Sequence, residues 1–401
     1  MTGGGGAEGS AWSAWVEASC RVVDAAGQWR RPRTFDALGP AGRLAGTEGP
    51  GPTEVVSFAS NDYLGLTAHP AVMAAAHGAL DRWGSGSGAS RLVTGSRPVH
   101  GALEAALAAW KGCERAVVFP TGFAANLSVL EVFGAEGAHL FSDELNHASI
   151  IDGCRSARAG VTVYRHRDLD HLDALLASTP GRPVIVSDTV FSMDGDQADV
   201  EGLVELARRH GALLTLDEAH AVLGPELPAG SGEDVDLLRV GTLSKTLGAL
   251  GGFVAGPARF VELLENRARP YIFTTAPTPA DAAAALAALE VVRSAEGDVL
   301  RARLAGHVAT VSAALGRGPH PSPIVPVVLG EEARAVAASA ALAASGLWVP
   351  AIRPPTVPVG TSRLRVTLSA AHTADQVGRL VAGLRALRSD LAAPTPTGSG
   401  R

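Results

Sequence analysis

Leu213-Leu214-Thr215-Leu216 is an apolar run that passes straight into Asp217-Glu218-Ala219-His220, and Leu238-Arg239-Val240 does the same into Gly241-Thr242-Leu243-Ser244-Lys245-Thr246-Leu247-Gly248. Both read as buried strands whose last residues turn polar. In a parallel sheet, ligands collect beyond the carboxyl ends of the strands, so an acid, an imidazole, hydroxyls and a lysine are expected on one rim. Working outward, other short apolar runs share the habit. Ala116–Phe119 ends in Pro120-Thr121-Gly122-Phe123, and Ala138–Phe141 precedes Asn146-His147-Ala148-Ser149. Val184–Val186 leads to Ser187-Asp188-Thr189-Val190-Phe191-Ser192-Met193-Asp194-Gly195-Asp196. Val161–Tyr164 and Gly252–Ala255 complete the set, and helix-length segments such as Val200–His210 separate most of them. Strands alternating with helices predict an α/β fold with a mostly parallel central sheet covered on both faces.

Pro277 and Pro279 interrupt the pattern before the Ala-rich helix expected over Ala280–Val292. A smaller α+β C-terminal domain is expected from there, with strands at Ile324–Leu329 and Arg363–Leu368 and helices at Ala333–Ala344 and Ala374–Leu387. The expected organisation is a loose tail over 1–19, an N-terminal segment over 20–60 packing on the small domain, a large domain over 61–279, the small domain over 280–390, and a loose Pro/Thr/Gly/Ser tail over 391–401.

The 401 residues carry 34 Lys+Arg against 40 Asp+Glu, a net charge of −6, without a basic run, so binding along a nucleic-acid backbone is not expected. Cys20, Cys113 and Cys154 lie far apart without a CxxC, which argues against disulfides and a metal site and fits a reducing cytoplasm. The Gly-rich start lacks the pattern of a secretory signal. Ala335–Ile352, the longest uncharged stretch worth checking as a span, contains Gly346 and Pro350 and reads as helix then strand, not as a membrane span.

A cofactor that wants this set is pyridoxal 5'-phosphate. Its aldehyde needs a lysine amine for a Schiff base, its pyridine nitrogen a carboxylate, and its phosphate a helix N-terminus with hydroxyls. Lys245, Asp217 and Gly122-Phe123 supply the three, with Thr242 beside the lysine. Each has a plainer reading: Lys245 as a solvated lysine, Asp217 as a turn or cap residue, His147 as a core hydrogen-bonder. Their joint occurrence at strand ends favours the functional one.

Ser60-Asn61-Asp62-Tyr63-Leu64-Gly65, the Gly-Phe-Ala-Ala-Asn turn at Gly122, Asn146-His147-Ala148-Ser149, Phe191–Asp196, Asp217-Glu218-Ala219-His220 and Thr242-Leu243-Ser244-Lys245 resemble the α-oxoamine synthase family over about residues 20 to 388. The resemblance implies the fold-type I pyridoxal phosphate transferase fold and the joining of an amino acid to an acyl thioester with loss of carbon dioxide. It implies that His147 stacks on the pyridine face and contacts substrate, that His220 and Ser192 hold the ring oxygen or its surroundings, and that Thr242 meets the phosphate. Thr274 and Thr275 resemble a segment reaching the phosphate of the neighbouring subunit, which makes the active site that of a homodimer. Arg365, with Asn61, is implied for the amino-acid carboxylate; Asn61-Asp62 is also an ordinary turn.

Arg30 falls where the family has an acyl-substrate arginine, with Arg31 as its rival and a solvated basic turn as the plain alternative; Thr356 resembles an acyl contact. Ser244 stands where several relatives have Gly. Within the family, Ala351–Pro358 with Gly360–Arg365 most resembles the biotin-pathway member. That implies L-alanine and pimeloyl-CoA or pimeloyl-acyl carrier protein as partners. Glycine-using siblings, and a non-catalytic regulatory subunit, are the alternatives; Lys245 and Asp217 together argue against the second.

Overall fold

The computed structural model describes residues 10–45, 51–225, 227 and 234–392, without the side chains of 388–392. Its centre is a seven-stranded sheet in the order Arg115–Phe119, Gly252–Gly256, Leu237–Thr242, Leu213–Asp217, Arg182–Asp188, Ala138–Asp143, Gly160–Tyr164. Neighbours from Leu237–Thr242 to Gly160–Tyr164 run parallel. Gly252–Gly256 runs antiparallel to both of its neighbours. The interior strands Arg182–Asp188 and Leu213–Asp217 are rich in Val, Leu and Ile, and they and Gly252–Gly256 are buried along most of their length, as a sheet covered on two faces requires.

The covering helices carry clear local signals. Asp199 caps Val200–His210 by accepting from Gly202 N at 3.0 Å, and Gly211 ends that helix in the left-handed conformation. Thr121 caps Gly122–Phe133 by accepting from Ala124 N at 3.0 Å, and His147 caps Ala148–Ser156. The last two helices therefore begin where strands end, which brings their N-termini to the rim.

The C-terminal part is a three-stranded antiparallel sheet, Ile324–Gly330, Ser362–Thr367 and Ala351–Ile352, flanked by Ala295–Ala314, Glu332–Ala344 and Ala374–Ala392. A second small sheet forms from Phe35–Ala37, Ala41–Leu44 and Thr53–Ser57, the last pairing in parallel with Leu347–Trp348. One apolar cluster crosses the chain position 279/280: it joins Leu103, Leu107 and Phe253 to Ala285, Leu289, Val325, Leu364 and Leu380. The parts of the chain before and after that position thus share one apolar core.

At the N-terminus the expectation of a loose tail over 1–19 is corrected from residue 11 onward, where Ala11–Ala25 is a helix. Ser10 supplies the cap, accepting from Ser13 N at 3.2 Å, and alanines favour the helical backbone. A polar N-cap inside a Gly/Ser-rich stretch is easily read as linker. The rest of that tail, 1–9, lies outside the described residues, as do 393–401 of the C-terminal one, while 391–392 continue the last helix.

Leu364 is fully buried between the two parts. Leu364→Ala is expected to destabilise the protein by about 2–5 kcal/mol, read as a lowered midpoint in urea unfolding. Since the core is shared, fluorescence and circular dichroism should report one coincident transition in wild type and variant.

Candidate active site

A cavity of about 230 Å³ opens at the carboxyl ends of the strands. Its walls include Gly122, Phe123, His147, Asp217, His220, Thr242 and Lys245, seven of the residues singled out from the sequence.

Asp217, the last residue of its strand, is 5% exposed. Its Oδ2 accepts from Asn126 Nδ2 at 2.6 Å and its Oδ1 from Ala219 N at 2.9 Å. Asn126 Nδ2 also donates to Ser149 Oγ at 2.9 Å, and that hydroxyl lies 2.7 Å from His147 Nδ1. His147 N donates to Asp188 Oδ2 at 2.7 Å. Two strand ends and two helix starts are therefore tied together beneath the cavity. Asn126 Oδ1 is buried without a partner, an orphaned acceptor that a bound polar group can satisfy.

The electrostatics follow from burial. Lys245 is held below the usual lysine range, first by burial and further by the charge of Arg365, while Asp217 and Asp188 partly restore the ammonium. His147 is also lowered, chiefly by burial, and His220 is lowered well below the ordinary histidine value by burial and then by Lys245 and Arg365. Asp188 is pushed well above the usual carboxylate range by burial and by neighbouring Asp217. Lowering makes the amine and both imidazoles easier to deprotonate, and their unprotonated forms can take up a proton.

At the other end, Thr242 Oγ1 lies 2.7 Å from Ser244 Oγ, accepts from Ser244 N at 3.1 Å and donates to Gly251 O at 3.0 Å. A Cβ on Gly122 would stand 3.2 Å from Thr242 Cβ, so the helix start and the lysine loop are packed as closely as glycine permits. The first-turn N–H groups of Gly122 and Phe123 have no intrahelical partner by helix geometry, and the helix N-terminus favours an anion. The ring of Phe123 meets that of His147 edge-on, with centroids 6.5 Å apart.

Arg365 and Asn61 come together although 304 positions separate them. Arg365 Nη1 and Nη2 each donate to Asn61 Oδ1 at 3.3 Å, Nε donates to Ser192 O at 2.6 Å, and Nη1 donates to Thr367 Oγ1 at 2.9 Å. Asn61 Oδ1 also accepts from Tyr63 Oη at 3.2 Å, and that phenol lies 2.5 Å from His220 Nδ1. A chain of contacts thus runs from Arg365 to the cavity wall. Burial raises the Tyr63 phenol, keeping its proton in place. Arg363 pairs with Asp194 instead.

The remaining expected residues lie apart. Ser192 meets Arg365 through its backbone oxygen. Arg30 and Arg31 both line a separate hollow of about 850 Å³ with Trp29, Arg33, Trp348 and Arg353, so the two arginines stay equivalent. Thr356 is exposed in a turn in which its N–H donates to Arg353 O at 3.0 Å. Thr274 and Thr275 do not line the cavity of their own chain. The sequence reading assigned no role to Asn126, Asp188, Ser149 or Tyr63. Asp188 ends a strand and was open to the same rim argument as Asp217; Asn126 lies one helical turn beyond Phe123.

A family model for aminotransferase class I and II matches residues 53–384. The chain belongs to this family. Among relatives in it, the chain is 49% identical to 8-amino-7-oxononanoate synthase of Anaeromyxobacter dehalogenans (strain 2CP-1), with 96% of this chain and 98% of that protein covered. It is 48% identical to the protein of the same name from Burkholderia thailandensis, covering 92% of this chain and 97% of that one. Among solved structures, the serine palmitoyltransferase of Sphingomonas wittichii superposes with a TM-score of 0.86 at 31% identity, covering 96% and 99% of the two chains. A high-resolution structure of SPT with PLP gives 0.85 at 30% identity, covering 95% and 98%. The 8-amino-7-oxononanoate synthase of Francisella tularensis gives 0.70 at 25% identity, covering 84% of this chain and 98% of that one. The fold is that of the fold-type I pyridoxal phosphate transferases.

Lys245→Ala is expected to abolish the near-visible absorbance of the protein reconstituted with pyridoxal phosphate, and borohydride trapping should label Lys245 in the wild type. Label on another amine would remove Lys245 from its role.

Proposed function

We propose that this protein condenses L-alanine with a pimeloyl thioester, releasing carbon dioxide and the free thiol and forming 8-amino-7-oxononanoate for biotin biosynthesis. The observation that carries this reading is the site itself, a buried acid and a lysine lowered by burial in the wall of one cavity, with a buried arginine that donates to Asn61 and is joined to that wall through Tyr63 and His220. It stands in a chain half identical to 8-amino-7-oxononanoate synthases along nearly all its length. Pyridoxal phosphate is the cofactor. The residues present suit it: an acid at the cavity floor, an orphaned amide oxygen, an imidazole wall and a glycine helix start.

Asp217 would hold the ring nitrogen and His147 the ring face, with His220 and Ser192 near the ring oxygen and Thr242, Gly122 and Phe123 at the phosphate. When bound, the cofactor supplies an electron-withdrawing ring that stabilises negative charge at the amino-acid α-carbon.

The chain's own groups do the rest. Arg365 and Asn61 receive the amino-acid carboxylate; the guanidinium is already oriented by Ser192 O and Thr367 Oγ1 and so loses little freedom on binding. Lys245 Nζ, held below the usual lysine range by burial, takes the α-proton in its unprotonated form. His147, held by Ser149 at its ring and by Asp188 at its backbone N–H, contacts the substrate beside the ring face. Arg30 or Arg31, in the larger hollow, and Thr356 contact the acyl substrate. Thr274 and Thr275 reach the phosphate of a second copy, which makes the working form a homodimer. The reaction belongs to the cytoplasm; among the described residues no helix is long and apolar enough to cross a membrane.

Mass spectrometry of products from purified protein given L-alanine and pimeloyl thioester, with acetyl and succinyl thioesters and glycine as competitors, should return 8-amino-7-oxononanoate. A product built from glycine or a shorter acyl group would overturn the assignment. Arg365→Lys should raise the KM for L-alanine by on the order of 10-fold or more, since a lysine cannot give the planar fork of donors.

A further inference from the structure

His166 lies just beyond the strand Gly160–Tyr164, and both of its ring nitrogens face carboxylates. Nδ1 is 2.9 Å from Asp143 Oδ1 and Nε2 is 2.8 Å from Asp196 Oδ2. A neutral imidazole carries one N–H and would turn a lone pair toward one of the two acids, whereas an imidazolium donates to both. The surrounding structure is built around that ring. His166 N donates to Glu144 Oε1 at 2.9 Å, and Arg167 N to Asp143 Oδ2 at 2.8 Å. Arg167 holds a φ of 58°, an unusual left-handed conformation for a residue other than glycine. Phe191 meets the imidazole edge-on with centroids 4.3 Å apart. The second oxygen of Asp196, Oδ1, is buried without a partner, so the charge of that acid is balanced through Oδ2, by His166 and by Arg167 Nη1 at 3.2 Å.

The two acids belong to different loops of the site. Asp143 begins the turn Asp143-Glu144-Leu145-Asn146-His147, in which Leu145 N donates to Asp143 Oδ1 at 2.9 Å and His147 N reaches Asp188. Asp196 closes the loop Phe191–Asp196, where Phe191 N donates to Asp196 O at 3.0 Å. That same loop presents Ser192 O to Arg365 and Asp194 to Arg363. We propose that His166 is a positioning residue for the condensation: its ring clips the His147 turn to the Ser192 loop and thereby fixes the Arg365 pocket that receives the amino-acid carboxylate. The inference rests on the reading that Arg365 binds that carboxylate.

The clip is charged at neutral pH. Burial opposes the charge, but the hydrogen bonds and charges of Asp143 and Asp196 prevail and push the imidazole up to about 9. The sign follows: with a folded value above the unfolded one, the stability that the charged clip contributes is fully present below the ordinary histidine value of about 6.5 and is lost as pH rises through about 9. The charged or titratable groups that face it are Asp143, Glu144, Arg167 and Asp196; His320, near Gly195 and Asp196, is lowered by burial.

The test uses full-length, cofactor-loaded protein with ¹⁵N-labelled histidine, the His166 ring signals being assigned by their loss in His166→Asn. Both ring nitrogens should be protonated at pH 7.5 with a midpoint near 9. The His147 ring signals should move in the variant. In steady-state assays, the wild-type KM for L-alanine should rise as pH passes about 9, and His166→Asn should raise that KM on the order of 10-fold, more than it lowers kcat, and flatten the alkaline rise. Asp196→Asn, which unfastens only the Ser192 loop, should shift KM in the same direction and covers the case in which His166→Asn does not fold. A neutral His166 ring at pH 7.5, or variants with wild-type KM and wild-type alkaline rise, would overturn the proposal. Wild-type protein that fails to bind L-alanine would instead sink the functional reading, and the ring titration with the His147 shift would still decide the clip.

Discussion

A buried carboxylate sets the terms of this molecule. Asp217 stands at the end of a central strand with both oxygens engaged, one by Asn126 and one by the backbone of Ala219. A charge in that position is tolerable only where donors surround it, and those donors come from the helix Gly122–Phe133 and from the turn after its own strand. The helix in turn is fixed by its Thr121 cap and by the near-contact of Gly122 with Thr242. Holding one acid therefore fixes the start of a helix, the lysine loop and the imidazole wall together.

The second dependency lies between the two parts of the chain. Arg365 is buried in the small C-terminal sheet but spends its donors on Ser192 O, Asn61 Oδ1 and Thr367 Oγ1, two of which come from outside that sheet. The shared apolar core, from Phe253 to Leu364, keeps those elements in register. The parts before and after position 279/280 consequently behave as one frame, and the contacts of Arg365 with Ser192 and Asn61 are assembled from that frame. The imidazolium clip at His166 belongs to the same logic: a charged group away from the reacting atoms keeps two loops at the right separation.

Much of the site is legible in the sequence, because a parallel sheet places chemistry at a known end of each strand. Asp217, Lys245, His147, His220, Thr242, Gly122 and Phe123 all lie on one cavity wall for that reason. The family motifs added Asn61 and Arg365, which no periodicity could have paired across 304 positions. Asn126 and Ser149 were passed over because a polar residue on a helix is most often solvated, and only burial under Asp217 marks them as structural donors. The helix at Ala11–Ala25 was missed since a lone Ser cap among glycines reads as linker.

Sequence by itself determined the order of strands and helices, the polar residues that end each strand and the glycines at the tight turns, because hydrophobic period, capping and backbone freedom are local properties. Tertiary structure alone decided which of those residues meet. It brought Arg365 to Asn61, set Arg30 and Arg31 in a different hollow from the lysine, and placed His166 between Asp143 and Asp196. Shifts such as the lowered Lys245 and the raised His166 belong to this second level. They arise from desolvation and from charges brought close by folding, and neither exists in the chain until the sheet has closed over them.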